Sequence, residues 1–354
     1  EPDAPTPAHV VEAAVRALRA GATRYVEPAG VPPLRDAVAR HFRSRGIDAD
    51  AARVVVTSGA KALLHHVAAA TLAPGDEALV PDPGYSAAAG IVRLAGARPV
   101  PYPVCAERGI DVAGLESLVT ARTRLLVLNS PHNPTGAVLQ GEQLDALADL
   151  AHRRGLLVLS DEIYWRHVYD GAPGSIATRA GMAERTVVVD GLSKAYAMTG
   201  WRLGFGVMPE ALAAAVTRLV SHSTTCVPPF VQEAGIAALE GPDDDMAAYV
   251  AELRTRRDWL VAALGTIPGI RCAAPRGAFY VFPCVRGLLD GTSLDTAELA
   301  HRLLDEAGVA CVAGSAYGAR GEGHLRLSFA APLEELREAM ERIRRFVSRI
   351  RPAG

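Results

Sequence analysis

The 354-residue chain is long enough for one large hydrophobic core or for two unequal ones. Its 49% hydrophobic content, its net charge of −2 and its lack of a long apolar run give no reason to expect a nucleic-acid partner or a membrane span. The five cysteines lack CxxC spacing and the ten histidines lack metal-ligand spacing, so we expect reduced thiols, no metal site and a cytoplasmic location.

Short aliphatic runs alternate with longer amphipathic segments through the first two thirds of the chain. The candidate strands are Val54–Ser58, Glu77–Pro81, Leu125–Asn129, Leu156–Ser160, Thr186–Asp190 and Leu203–Val207. The helix-length segments between them include Lys61–Leu72, Tyr85–Leu94 and Gln140–Arg154. This alternation predicts βαβ units on a mostly parallel sheet, in which ligands bind beyond the carboxyl ends of the strands.

The pattern changes after the Gly-Pro-Asp sequence at residues 241–243. A long polar helix is predicted over Asp244–Leu264, followed by shorter strands around Gly277–Pro283 and Leu325–Phe329. The final segment Pro332–Ile350 carries apolar residues at helical spacing, which is typical of a helix that packs on a core. These elements predict a second, smaller α+β domain.

Of the 37 Lys and Arg residues in the chain, only Lys61 and Lys194 are lysines. Only lysine has a primary amine that can lose its proton and condense with a carbonyl group. Lys194 follows a predicted strand and lies close to Ser193 and Arg202. An amine beside a hydroxyl and a guanidinium would suit a phosphate-bearing aldehyde such as pyridoxal 5′-phosphate (PLP), although Lys194 alone is equally compatible with a surface lysine.

Other predicted strand ends carry the partners that PLP requires. Asp161 either supplies a carboxylate that would keep the pyridine nitrogen protonated or caps a helix. Tyr164 follows three residues later and could reach the ring oxygen. The turn through Gly59 and Ala60 joins a strand to a helix, which is an arrangement that binds phosphate but also occurs as an ordinary turn. Lys61 either adds charge there or faces solvent.

Three further residues fit a bound amino acid and cofactor. Tyr85, in PDPGY, either stacks on the ring or packs on the core, and Asn133, in NSPHNPTG, either donates to the ring oxygen or forms a turn. Arg326 stands in the middle of the apolar strand of GHLRLSFA. Since a buried arginine is costly without an anion, Arg326 indicates either a site for an α-carboxylate or an internal salt bridge.

In this order the motifs resemble the class I/II aminotransferases of PLP fold type I, and they are closest in pattern to bacterial aspartate and aromatic aminotransferases. The resemblance covers nearly the whole chain, through RYVEPAGVPPLRDAVA, SPHNPTG, SDEIY, SKAYAMTGWRLGF and LRLSFA. It implies an α/β fold with a mostly parallel seven-stranded sheet, flanked by helices, in a large PLP-binding domain over residues 25–242. Residues 243–354 would form the small domain together with residues 1–24, and a segment upstream of these would be absent from this sequence.

The resemblance also implies a role for each candidate residue. Lys194 would form the internal aldimine and then act as the base that moves the proton. Asp161 would pair with the pyridinium, Tyr85 would stack on the ring, and Tyr164 and Asn133 would bond the ring oxygen. The phosphate would be held by Gly59, Ala60, Ser193 and Arg202, with the contribution of Lys61 left open.

The substrates implied are an L-amino acid and a 2-oxo acid, which exchange an amino group by a ping-pong mechanism. Arg326, with Asn133, would bind the substrate α-carboxylate. Tyr25 resembles the tyrosine that reaches the phosphate of the neighbouring subunit, which implies a homodimer with shared sites. Gly191 departs from the family, because many members have a hydroxyl residue at this position.

Two other functions remain open at this stage. The same PLP chemistry also serves cyclases, lyases and oxidases of amino acids, and fold alone does not separate them. A ligand-sensing regulatory domain on this fold would normally bring a basic DNA-binding segment, and none is visible in the sequence. A nicotinamide dehydrogenase is disfavoured, because no GxGxxG motif opens a helix after the first strand.

Overall fold

The computed structural model describes residues 1–350 and has an α/β architecture. Its main sheet has eight strands in the order β1-β8-β7-β6-β5-β2-β3-β4. These strands are β1 (Val54–Thr57), β2 (Glu77–Asp82), β3 (Arg98–Cys105), β4 (Gly109–Ile110), β5 (Thr123–Asn129), β6 (Leu157–Asp161), β7 (Thr186–Gly191) and β8 (Gly204–Val207). The pairs from β3 through β2, β5 and β6 to β7 are parallel, whereas β1, β8 and β4 pair antiparallel.

The mostly parallel sheet is confirmed, but it has eight strands where seven were predicted. The additional strand is β4, a two-residue return from β3 that is too short to leave any pattern in the sequence. The residue-by-residue prediction also missed β3, whose Pro99, Pro101 and Pro103 argue against a strand. Residues 98–103 of β3 pair with β2 alone, and β4 pairs only with Val104 and Cys105. The alternate prolines can therefore face the open side, where no N–H is required.

Nine helices surround this sheet along the first 240 residues. They are α1 (Ala8–Arg19), α2 (Pro32–Ser44), α3 (Ala60–Thr71), α4 (Ser86–Leu94), α5 (Val112–Glu116), α6 (Gly141–Arg154), α7 (Leu192–Ala195), α8 (Glu210–Ser223) and α9 (Pro229–Glu240). Successive strand residues point to opposite faces, so that Val54 and Val56 enter one core cluster and Val55 enters another. The sheet is therefore buried on both faces, as expected for parallel strands.

The remaining elements form a small three-stranded antiparallel sheet and its helices. They are α10 (Asp244–Gly265), β9 (Tyr280–Val281), α11 (Arg286–Leu289), α12 (Thr296–Ala307), β10 (Val312–Ala313), β11 (Leu325–Ser328) and α13 (Leu333–Ile350), with the strand order β10-β11-β9. One hydrophobic cluster runs from Val10 of α1 through Phe205 of β8 to Phe346 of α13. The division into residues 1–24, 25–242 and 243–354 stays a prediction.

The described part of the chain offers neither a helix suited to span a membrane nor a cluster of metal-binding side chains. None of the helices within residues 1–350 combines the length and the hydropathy of a membrane-spanning segment. No group of three His, Cys, Asp or Glu side chains in this part is arranged to hold a metal ion. All five cysteines are free thiols.

Candidate active site

A cavity of about 310 Å³ lies at the carboxyl ends of the central strands. Ten of the twelve predicted site residues line it: Ala60, Lys61, Tyr85, Asn133, Asp161, Tyr164, Ser193, Lys194, Arg202 and Arg326. Asp161 ends β6, Asn133 follows β5, and Lys194 lies on the short helix that follows β7. Because β5, β6 and β7 are neighbouring parallel strands, their carboxyl ends bring these three side chains to one edge of the sheet.

The Lys194 amine is half-buried at the cavity wall. Burial lowers the pKa of Lys194, and the charges of Arg326 and Arg202 lower it further against an opposing effect of Glu1. Its Nζ lies 5.7 Å from the centre of the Phe279 ring, so one wall beside the amine is apolar. A lowered pKa increases the neutral fraction of the amine, which is the form that attacks a carbonyl and accepts a proton.

Asp161 is a buried carboxylate without a cationic partner. Only 7% of the residue is exposed, and none of the ion pairs within residues 1–350 includes it. Burial raises the pKa of Asp161 to about 7, with smaller contributions from the charges of Asp190 and Glu162, although the Ile163 N–H donates to Oδ1 at 3.2 Å. A protonated ring nitrogen would supply the missing positive charge, so Asp161 fits the pyridinium of the predicted cofactor.

The start of α3 and the strand β8 form a narrow cradle. Gly59 precedes α3 with a φ of +85°, and Arg202 also has a positive φ of +56°, an unfavourable conformation for arginine that is typical of functional sites. A methyl group at Gly59 would collide with the Arg202 guanidinium, and one at Gly204 would collide with the backbone of Gly59 and Ala60. The Gly59 N–H donates to the Thr57 carbonyl oxygen at 2.7 Å, so the predicted donor role of Gly59 is not seen in this structure. The N–H groups of the first turn of α3, beginning with that of Ala60, have no partner within the helix, and beside a guanidinium they form a site for phosphate.

A hydroxyl-bearing residue, which many family members have at the position of Gly191, would not fit here unless neighbouring atoms moved. Gly191 has extended backbone, and a Cβ there would lie 2.9 Å from the Leu203 carbonyl oxygen and 3.1 Å from the Gly204 Cα. Ser193 is buried and lines the cavity. In this chain the hydroxyl on the Lys194 turn that can reach the cavity is therefore that of Ser193.

Arg326 is held without an acidic partner. Its Nη1 donates to Asn133 Oδ1 at 3.2 Å, and its guanidinium carbon lies 4.2 Å from the centre of the Tyr280 ring and 5.0 Å from that of Tyr317. Its Nε is buried and has no hydrogen-bond partner. Since no carboxylate among the described residues pairs with Arg326, the alternative of an internal salt bridge is wrong, and the free donors fit a substrate carboxylate.

The remaining predicted residues have different surroundings. The hydroxyl groups of Tyr164 and Tyr280 lie 3.0 Å apart, and the Lys61 Nζ lies 5.5 Å from the centre of the Tyr85 ring, at the exposed side of the cavity. Tyr25 is not part of this cavity, and 84% of it is exposed. Within a single chain the structure therefore does not bring Tyr25 to the other candidates.

Sequence reasoning missed six residues that line the cavity. They are Glu1, Leu64, Asn129, Ile163, Thr199 and Tyr280. Asn129 gave a usable signal, because it is polar and ends a strand; its Oδ1 accepts from the Asn133 N–H at 2.8 Å and its Nδ2 donates to the Asp161 carbonyl oxygen at 3.0 Å. Tyr280 gave no such signal, since an aromatic residue in an apolar strand is typical of a core.

A larger cleft of about 1,170 Å³ lies between the β3–β4 return and residues 271–284. It contains none of the twelve predicted residues. Chemistry rather than size therefore favours the smaller cavity as the candidate site, since an amine of lowered pKa, a buried unpaired carboxylate and an unpaired guanidinium meet there.

Comparison with known proteins identifies the family. The model of the family "Aminotransferase class I and II" matches residues 1–343. The chain is 41% identical to arginine–pyruvate transaminase AruH of Pseudomonas aeruginosa, over 97% of this chain and 87% of that protein. It is 40% identical to aromatic-amino-acid aminotransferase 2 of Thermococcus litoralis, over 97% and 89% of the two chains.

Solved structures agree with this relationship. An aromatic aminotransferase from Pyrococcus horikoshii superposes with a TM-score of 0.95 at 38% identity, covering 99% of this chain and 94% of that one. An aspartate aminotransferase from Rhizobium meliloti gives a TM-score of 0.94 at 35% identity, covering 99% and 90%. The chain is an enzyme that belongs to the class I and II aminotransferases.

Proposed function

We propose that this aminotransferase uses PLP to move an amino group between an L-amino acid and a 2-oxo acid in a ping-pong reaction. The observation that carries the proposal is the meeting of Lys194, Asp161 and Arg326 around one cavity of about 310 Å³. Each of the three offers a property that the reaction needs and that a structural residue would not show: a half-buried amine, a buried unpaired carboxylate and an unpaired guanidinium.

The cradle at the start of α3 holds the cofactor phosphate. The Ala60 N–H, the Ser193 hydroxyl and the Arg202 guanidinium supply donors, and Lys61 adds positive charge at the exposed side. Gly59 contributes by having no side chain, which leaves room for the Arg202 guanidinium. Lys194 supplies the primary amine that would condense with the cofactor aldehyde. When bound, PLP supplies an electron-accepting ring that stabilises negative charge at the substrate α-carbon.

The other side chains orient the ring and control its charge. Asp161 keeps the ring nitrogen protonated, because its buried carboxylate gains a cationic partner. Tyr164 and Asn133 would donate hydrogen bonds to the ring oxygen, and Tyr85 would stack on the ring face. Together these contacts fix the ring in the orientation that the proton transfer requires.

Lys194 moves the proton in both half-reactions. In the first half-reaction its neutral Nζ removes the proton from the α-carbon of the amino acid and would pass this proton on to the cofactor; in the second half-reaction the transfers run in reverse and the proton goes to the α-carbon of the former 2-oxo acid. Both directions require the lowered pKa that burial provides. Arg326 and Asn133 bind the α-carboxylate and thereby place the α-hydrogen toward the amine. The same contacts serve the amino acid and the 2-oxo acid, because both carry this carboxylate.

The proposal extends to assembly and location. A homodimer would bring Tyr25, which is exposed in one chain, to the phosphate of the neighbouring subunit. Five free thiols accord with a cytoplasmic enzyme.

The visible absorption spectrum of the purified protein tests the proposal. A band that the wild type shows and Lys194→Ala lacks would establish the covalent lysine link. Arginine, aromatic amino acids and aspartate form the first donor panel, because relatives bear these names. Bleaching by one donor and restoration by a 2-oxo acid is the expected result.

Two other spectra would contradict the proposal. A lysine-dependent band that a donor changes and no 2-oxo acid restores would instead favour cyclase, lyase or oxidase chemistry. Absence of the band in wild-type protein supplied with PLP would refute the role of Lys194.

A further inference from the structure

A buried ionic cluster lies directly behind the candidate active site. The Arg45 side chain, only 10% exposed at the end of α2, bonds Glu162 Oε2 through Nη2 and lies 3.0 Å from Asp190 Oδ2 through Nη1. The His41 Nε2 lies 3.0 Å from the same Asp190 oxygen. Ser160 and Ser175 donate to the other oxygen of Glu162 at 2.8 and 2.7 Å. No step of the proposed function uses this cluster.

The two carboxylates occupy the ends of the strands that carry the reacting groups. Glu162 follows Asp161 at the end of β6, and its N–H donates to the Val189 carbonyl oxygen of β7 at 2.8 Å. Asp190 lies in β7, four residues before Lys194, and its Oδ1 accepts from the N–H of Gly191 at 2.7 Å. The Arg45 guanidinium therefore joins the two chain segments from which Asp161 and Lys194 extend.

The guanidinium itself packs against two aromatic rings. Its central carbon lies 4.8 Å from the centre of the Trp165 ring and 5.5 Å from that of Phe42. The Trp165 ring in turn meets His41 edge-on at 5.0 Å. A planar fork packed against an aromatic ring has little freedom, so that it sets the separation of the two carboxylates it bonds.

We propose that Arg45 is a positioning residue, whose two-armed bond to Glu162 and Asp190 fixes the spacing between Asp161 and Lys194. This inference rests on the proposed function. A lysine at this position keeps the charge but presents a single ammonium, which cannot hold both carboxylates in the geometry of the fork. Charge neutralisation and positioning are therefore separable by Arg45→Lys.

The test compares Arg45→Lys with Arg40→Lys, a control on the same helix whose arginine makes an exposed ion pair with Glu240. Cofactor affinity is measured by titration of the visible band, and kcat and KM are measured per cofactor-loaded site. For Arg45→Lys we expect the PLP dissociation constant to rise by about fivefold or more and kcat to fall by about ten- to a hundredfold. The KM for the amino donor should stay within about twofold, because Arg45 does not contact Arg326 or Asn133.

Unchanged PLP affinity and unchanged kcat per loaded site in Arg45→Lys would overturn the inference, even if its melting temperature fell, because Arg45 would then serve stability alone. If Arg45→Lys does not fold, Glu162→Gln decides by the same criteria, since it removes one arm and keeps an oxygen for Ser160 and Ser175. A wild type without the lysine-dependent band would refute the proposed function and this inference together. If the wild type shows the lysine-dependent band and the variant matches the wild type in PLP affinity and in kcat, only this inference is refuted and the proposed function stands.

Discussion

At the residue scale, Arg326 is a charge without an acidic partner, which supports its proposed role as a substrate contact. Aromatic rings lie against its guanidinium, and its buried Nε has no hydrogen-bond partner. A buried donor without a partner costs free energy unless a ligand supplies the acceptor. A carboxylate can accept two parallel bonds from such a fork. The residue is therefore better explained by a ligand than by packing.

For Arg326→Lys we expect the KM values for the amino acid and for the 2-oxo acid to rise by about ten- to a hundredfold, because the bidentate contact becomes a single one. The PLP absorption band should not change, since the phosphate and the ring contact other residues. Arg337→Lys, which alters an exposed arginine paired with Glu334, is the control and should keep both KM values. Equal KM values in all three proteins would remove Arg326 from substrate binding.

Asp161 gives a prediction about pH. Its pKa rises from 3.8 to about 7 in the folded, cofactor-free protein, so folding is penalised when the carboxylate is charged. The penalty is absent below about pH 4, grows as the pH rises to about 7 and stays constant above, where it is on the order of 4 kcal/mol. Without cofactor, Asp161→Asn should thus unfold at a higher temperature than the wild type at pH 8, with a smaller difference at pH 5.

The same substitution should reduce transamination by at least about a hundredfold, because an amide cannot keep the ring nitrogen protonated. Stability and activity are therefore expected to change in opposite directions at this position. Thermal unfolding of the cofactor-free proteins at the two pH values and the activity of the loaded proteins are the measurements. A cofactor-free variant that is less stable than the wild type at pH 8 would show that Asp161 has a stabilising partner.

At the scale of elements, the site depends on the close passage of β8 across the start of α3. A methyl group at Gly204 would meet backbone atoms of Gly59 and Ala60, which move only if the helix moves. For Gly204→Ala we expect a loss of about 1–3 kcal/mol of stability and a PLP affinity reduced at least about tenfold. Gly200→Ala is the control, because a methyl group there has no neighbour within 4 Å.

Thermal unfolding and titration with PLP measure the two effects separately. Lower stability with unchanged affinity would indicate that the helix start does not hold the phosphate. Lower affinity in both variants would indicate that the loop after Lys194, rather than the cradle, determines binding.

The elements that could be predicted from sequence are those with a regular pattern. The strands from β5 to β7 and the helices α3, α6 and α13 match their predicted ranges to within one or two residues. The strand β3 could not be predicted from its residues, because three prolines stand where local rules forbid a strand and only its place at the open side permits them. The two-residue β4 carries no pattern at all.

The site residues follow the same logic. Lys194, Asp161 and Arg326 could be predicted because each is a polar group where the local sequence is apolar or arginine-rich. The cluster of Arg45, Glu162 and Asp190 could not be predicted, since its members are 117 and 145 residues from Arg45 in sequence and meet only through packing. Sequence patterns reveal a residue that differs from its neighbours in the chain, whereas contacts between residues far apart in sequence can be identified only from the structure.

At the scale of the whole molecule, the proposed homodimer with shared active sites predicts complementation between two defective chains. Tyr25 is 84% exposed and lies outside the cavity of its own chain, which suits a contact with the neighbouring subunit. Tyr25→Ala should bind PLP more weakly, and Lys194→Ala should be inactive. In a mixed dimer, the Lys194→Ala chain would supply Tyr25 to the intact lysine site of its partner.

Random assembly of equal amounts makes half of the dimers mixed, each with one complete site. We therefore expect the co-expressed chains to recover about a quarter of wild-type activity, measured at a PLP concentration too low to load Tyr25→Ala alone. Proteins purified separately and mixed without subunit exchange are the control and should show no recovery. If co-expression also gave no recovery, or if light scattering showed a monomer, each chain would have to complete its own site, and the exposure of Tyr25 would have no role in catalysis.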